Sequence, residues 1–492
     1  MNNLMEKLLF VEVMEKAIRL ELFLENAVLQ ADEPDIRVIN VFKNTLKKII
    51  ENLYLYVEII KGQYGEPSNE EYISFTKEIL NSFNVLEGKL HFNLCYLKSI
   101  WTFPETYTFV KNLLKVTKIK KDISIVLSDK YMFEETNLVE YLNNNPSFQS
   151  REISEEENMD NEVITLFLPK IESGNPLNWS ILVHEIGHAL KKPLEKIFKE
   201  TQIGKKVVKF EGRKMLDNWT EEFCCDLISL KILGPAYLAS FITFIILLGS
   251  QGGLEKIHFT HPDPRFRINI MTELLEINHI NKLNFKKGDF FEEYNNVANL
   301  FDRFFEYRAL FEGKYILTDE DIIQEEPFPL PLQDLRDIIG KKITRLMPNI
   351  TYYNPDEEKI FYLVNKIKEG IPISSYRPNF NKEKTENILA SIDKNIKSQD
   401  ISLNKKISQK INKIYNTMAE EPCSCAEIIN SGWLYKCNYI YPKIINTFFL
   451  DNKLTTLKDF FDKKEKYKEE IIKLDKILMK SIEVAHIHEI FR

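Results

Sequence analysis

The sequence predicts a mainly helical α+β protein. Apolar residues recur at three- and four-residue steps over most of the chain, and only two short stretches read as strands. Glycine (16) and proline (19) are scarce for 492 residues, so tight turns are few. At about 150 residues per domain the length suggests more than one domain, and the texture divides it into three. Residues 1–118 read as an N-terminal helical bundle, 119–284 as a mixed core carrying the candidate chemistry, and 285–492 as a C-terminal helical region.

In the first part, Leu4, Leu8, Val11, Met14, Ile18 and Leu22 mark one helical face. A second helical run covers 36–60, after Asp32-Glu33-Pro34, and a third starts near Pro67-Ser68-Asn69 with Glu70 and Glu71 in its first turn. Strands are expected at 122–128 and 163–168. Pro169 closes the second and favours an edge position, while the polar stretch between them reads as a surface loop. Helices resume from 175. Glu325 to Pro331 reads as a linker, and 453–491, rich in Lys and Glu, as a long terminal helix with a solvated face or the form of an arm.

Lys+Arg is 66 against 73 Asp+Glu, a formal net charge of -7, which argues against a nucleic-acid binder that must neutralise phosphates. Six cysteines do not make a disulfide framework in a chain of this length. The N-terminus, interrupted by Glu6, Glu12 and Glu15, lacks a signal-peptide pattern, so the expected location is the cytoplasm. One apolar stretch, 236–249, has 14 uncharged residues. A spanning helix needs roughly 20, and extension back to 227 meets Lys231 and Gly234-Pro235. A buried helix is therefore expected there, with a membrane-associated protease using 227–249 as an alternative.

The segment 175–190 reads NPLNWSILVHEIGHAL. Asn175 suits a helix N-cap and Pro176 the first helical position. His184 and His188, four apart, share a helical face and can hold one Zn2+. Glu185, beside the first of them, can take a proton from a water on that ion. Gly187 costs about 1 kcal/mol against Ala inside a helix, which suggests that something approaches the backbone there. The second segment, WTEEFCCDLISL at 219–230, places Glu222 and Asp226 on one face of another helix. Glu222 can complete a His2Glu site with one open position, and Asp226 can accept the free ring N–H of a ligating histidine. Glu221 is the rival ligand. Cys224 and Cys225 read as core thiols. Cys423, Cys425 and Cys437 lack a CxxC pair, and His486 and His488 do not share a helical face.

HEIGH at 184–188 followed by EFCCD at 222–226 resembles the gluzincin zinc metallopeptidases, whose signature is HExxH plus ExxxD. The nearer likeness is to a soluble relative of the CAAX-prenyl-protease and HtpX-like group. There the second helix carries E-x-x-A-D and a T-H-P segment follows, with Arg six residues after its His; Thr260-His261-Pro262 and Arg267 match that segment here, and Cys225 stands at the Ala position. The resemblance covers about 160–270. It implies a zincin-like core with a small edge sheet whose edge strand pairs with extended substrate, flanked by the helical domains. It also implies Zn2+ on His184, His188 and Glu222, catalysis by Glu185, and oxyanion stabilisation by His261 and Arg267. The expected partner is a protein or peptide substrate, with a regulatory partner or self-association through the helical flanks. A non-catalytic, zinc-containing interaction protein is the competing reading.

Overall fold

The computed structural model describes residues 3–28, 33–61, 82, 86, 104–117, 122–128, 134–137, 163–169, 172–188, 213–249, 267, 271, 357–373, 375–376, 421–450 and 456–490. The expected helix start at 67–71, the linker at 325–331 and the segment carrying His261 lie outside the described residues.

The chain is mainly helical with a small sheet, as its periodicity predicts. Helices α1 (Asn3–Val28), α2 (Glu33–Ile60) and α3 (Pro104–Thr117) precede strands β1 (Asp122–Ser128), β2 (Glu134–Asn137) and β3 (Val163–Pro169). Three helices follow: α4 (Ile181–His188), α5 (Arg213–Leu233) and α6 (Pro235–Gly249). Further on, α7 (Glu357–Glu369) leads into a two-strand pair of Ser375–Tyr376 with Glu421–Pro422. A helical run from Cys425 comprises α8 (Cys425–Tyr435), π-helical turns at Lys436–Ile440 and Asn446–Leu450, and α9 (Tyr441–Ile445) between them; α10 (Leu457–Ile490) ends the fold. Ser424 starts that run with a capping box: its hydroxyl accepts from the Glu427 N–H, and the Glu427 carboxylate accepts from the Ser424 N–H.

One strand expectation is corrected. β3 is not an edge strand. The sheet order is β1-β3-β2, with β1 parallel and β2 antiparallel to β3. Pro169 is tolerated because it is the last residue of the ladder, paired with Ser128. The edge next to α4 is β2, whose sequence EETN reads as loop because Glu134, Glu135 and Asn137 are poor strand formers and only Thr136 favours a strand. Its register is instead set by the central strand.

The long terminal helix is present with a solvated face, and the alternative of a free arm is corrected. α10 is charged, yet it buries Phe460, Tyr467, Ile471, Leu474, Leu478 and Ile482, a stripe at helical spacing. Even Lys464 and Lys468 lie down in the interface, reaching Glu21 and Glu25 of α1 at 2.6 Å each. α1 in turn is buried on its polar face as well as its apolar one. Arg19 donates to Glu15 (2.7 Å) and to Asp475 of α10 (3.0 Å), and Lys436 reaches Glu15 at 2.7 Å. Burial opposes ionisation of Glu15, but Lys436 and Arg19 hold its pKa at about 2. Burial dominates at Asp475 and pushes it up to about 6. Among the described residues one large apolar core draws on all three sequence segments, with Phe10, Leu53, Phe109, Leu166, Leu182, Leu233, Trp433 and Leu478 among its members, and a small second cluster joins Ile360, Val364 and Leu434.

The apolar stretch 236–249 lies in helix α6, with Ala236, Tyr237, Leu238, Phe241 and Ile242 buried. Gly234, at φ 59°, separates it from α5 in a left-handed conformation that a side chain disfavours. No helix among the described residues is long and apolar enough to cross a membrane. The bend is strapped by α8. Asn430 donates to the Leu233 carbonyl (2.7 Å) and accepts from the Ala236 N–H (3.0 Å), while Trp433 Nε1 donates to Ser240 (3.1 Å). Asn430→Ala leaves a buried carbonyl and a buried N–H without these partners. It is expected to cost roughly 2–6 kcal/mol at about 1–3 kcal/mol for each orphaned group. A denaturant midpoint equal to that of the unchanged protein would contradict this role.

Candidate metal centre

The turn leading into α4 is built around Glu172, not around an Asn175 cap. The Glu172 carboxylate accepts from the side-chain amides of Asn175 (2.7 Å) and Asn178 (3.0 Å), and its carbonyl accepts from Trp179 Nε1 (3.1 Å). Asn175 therefore does not cap the helix as its position suggested. A 3-10 turn at Asn178–Ser180 intervenes before α4 begins. The result delivers α4 against α5 and the sheet, with Ile181 to Gly187 buried.

Two triplets face each other across the α4–α5 contact. His184, Gly187 and His188 stand at i, i+3 and i+4 on one helix, and Glu222, Cys225 and Asp226 at the same spacing on the other. Gly187 is where the backbones meet. A Cβ there would lie 2.9 Å from both Cα and Sγ of Cys225, so the close approach suggested by a glycine in mid-helix is real.

The imidazoles are 5.0 Å apart between ring centres. His184 Nε2 is 3.2 Å from Glu222 Oε2, and His188 Nε2 is 3.6 Å from Glu222 Oε1. Two donors held at about 2.0–2.2 Å by one tetrahedral ion stand roughly 3.3 Å apart, a spacing these His–Glu distances approach, although Arg267 also faces Glu222 Oε2 at 3.1 Å and His184 Nε2 at 3.5 Å. On the far side of the first ring, Asp226 Oδ1 lies 3.1 Å from His184 Nδ1. Tyr237 of α6 adds its hydroxyl 3.1 Å from the same nitrogen and donates to Asp226 Oδ1 at 2.6 Å. The second ring is held by Glu221, whose Oε1 is 3.0 Å from His188 Nδ1. Glu221, weighed from sequence as a rival ligand, thus sits on the ring nitrogen turned away from Glu222. Tyr237 had one legible signal, a phenol inside an apolar helix, because a buried hydroxyl needs a partner.

Arg267 closes the centre. Its guanidinium donates to both Asp226 oxygens (2.7 and 2.8 Å), reaches Glu222 Oε2 at 3.1 Å and lies 4.5 Å over the Phe241 ring. All of these groups except His188 and Glu221 are buried.

The electrostatics favour a cation between the rings. Burial disfavours the charged form of His184, yet Asp226 and Glu222 win and push it up to about 10. His188 is raised against burial by its bond to Glu221. Asp226 is held below the usual carboxylate range by Arg267, again against burial. Glu185 is pushed up to about 7, chiefly by burial. Among the described residues, His184, His188 and Cys225 are a group with one ligand atom each, all within 4.8 Å of one another, that could hold a metal ion. Glu222 reaches the same rings but is shared with Arg267.

No protein family matches this chain, and neither does any curated protein or solved structure.

Asp226 balances a buried guanidinium, so its role is not limited to orienting His184. Asp226→Ala leaves Arg267 with Glu222 as its remaining carboxylate partner and is expected to lower stability by about 3 kcal/mol, the lower end of the cost of breaking a buried ion pair. The check is equilibrium denaturation of metal-free protein, and a loss below about 1 kcal/mol would show that Arg267 does not depend on Asp226.

Proposed function

We propose that the chain is a zinc-dependent metallopeptidase of gluzincin type. The observation that carries this reading is the placement of Glu222 within 3.2 and 3.6 Å of the two His Nε2 atoms, with Glu185 beside them. His184, His188 and Glu222 would hold the ion, and Asp226, Tyr237 and Glu221 would fix the ring tautomers so that both Nε2 lone pairs face inward. Bound there, Zn2+ supplies Lewis acidity, polarising a carbonyl and making water a better acid.

The rest is done by the chain. Glu185, buried beside the two rings, accepts the proton of the attacking water and delivers it to the leaving amine. Arg267 keeps Asp226 ionised and positions Glu222; the oxyanion role expected of His261 belongs to a segment outside the described residues. A protein or peptide substrate would add its extended backbone to β2, the sheet edge beside α4 among the described strands.

The presence of Glu185 favours a peptidase over an interaction protein with a structural ion, since a structural ion has no use for a base. Glu185→Gln is nearly isosteric and is not a ligand, so it keeps metal and fold. Proteolysis should fall by at least about 10²–10⁴-fold. Mass-spectrometric comparison of new protein termini in cells expressing the two forms reads this directly. Equal sets of termini from equal amounts of folded protein would rule out the enzyme.

A further inference from the structure

Cys225 is the donor that the two-histidine, one-carboxylate arrangement does not use. It sits at i+3 from Glu222 on the face of α5 turned toward α4. Its sulfur and one nitrogen from each of His184 and His188 lie within 4.8 Å of one another. The contact with Gly187 brings it there: with no side chain at 187, the Cys225 backbone and sulfur come up to the level of the two histidines. The residue is completely buried, so solvent does not compete for the sulfur. Without an ion, burial and the carboxylates of Glu222, Glu221 and Asp226 keep this thiol protonated, and a bound dication reverses that balance. Arg267 balances Asp226, leaving a dication to be balanced by Glu222 and one further anion. A thiolate is a good donor to a borderline-soft ion such as Zn2+.

We propose that Cys225 is a fourth protein ligand of the ion, completing a His184, His188, Glu222, Cys225 set. On binding, the thiol gives its proton to solvent and the sulfur takes the position that a reacting water needs. The centre is then closed in most molecules, and turnover runs through the fraction from which Cys225 has left the ion. This rests on the metallopeptidase reading for the presence of the ion and adds a gate to it.

The test uses the full chain loaded with cobalt(II), whose near-ultraviolet sulfur-to-cobalt charge-transfer band reports thiolate ligation independently of activity. The band is expected in the unchanged protein and in Cys224→Ala, and absent in Cys225→Ala, which keeps the visible bands of bound cobalt. Acetohydroxamate, a small bidentate chelator, should then perturb the visible spectrum of Cys225→Ala at least about tenfold more readily than that of the unchanged protein, since a position open in a tenth of molecules weakens binding tenfold. Bound cobalt without the charge-transfer band, or with a band that survives in Cys225→Ala, overturns the ligation. Equal acetohydroxamate affinity overturns the gate. Both of these results leave the metallopeptidase reading standing, whereas failure to bind cobalt at all counts against that reading itself. X-ray absorption of the zinc-loaded unchanged protein needs no variant. One sulfur at about 2.3 Å supports the ligation, and a shell of nitrogen and oxygen alone overturns it.

Discussion

The burial of one carboxylate, Asp226, organises the rest of the centre. An ionised carboxylate cannot leave water without partners, and Asp226 has them from every side. Arg267 supplies two donors, Tyr237 a third, and His184 approaches with Nδ1. These partners come from α4, from α6 and from residue 267, so satisfying one charge fixes three pieces of chain around α5. His184 acquires its orientation in the process, with Nε2 turned toward Glu222. The same guanidinium that neutralises Asp226 also holds Glu222, so the two carboxylates of α5 are set relative to each other by a single cation.

The apolar helix α6 has its place in this account. It carries Tyr237 to Asp226 and Phe241 to the face of Arg267. Its start is fixed by Gly234 and by Asn430 of α8, and α8 packs against α10. The C-terminal helices thereby brace the candidate metal centre through buried hydrogen bonds. α1, with its buried Glu15 and Arg19 tied to Lys436 and Asp475, joins the two ends of the sequence in the same core.

What was legible in the sequence was local. The i, i+4 spacing of His184 and His188, the Glu222–Asp226 pair, the helix-breaking Gly234-Pro235 and the glycine at 187 each express a short-range rule, and each is found where that rule puts it. What was not legible depended on long-range pairing. β3 became central because β2, a polar segment with no strand signature, pairs beside it. The solvated face of the Lys-rich α10 was legible, but not the burial of Lys464 and Lys468, whose partners Glu21 and Glu25 lie more than 400 positions away. Asn175 has the residue type of a cap, but the nearby Glu172 takes its amide. Cys225 reads as packing because nothing in its own segment shows that it meets two histidines.

The central claim is that α4 and α5 together hold one divalent ion. Elemental analysis of the full chain, purified without chelator and supplied with zinc, tests it most directly when paired with the His184→Ala, His188→Ala double variant. One zinc per chain in the unchanged protein, and none in a double variant with the same helical circular dichroism, is the predicted result. Equal metal content in both, or none in the unchanged protein, would contradict the account.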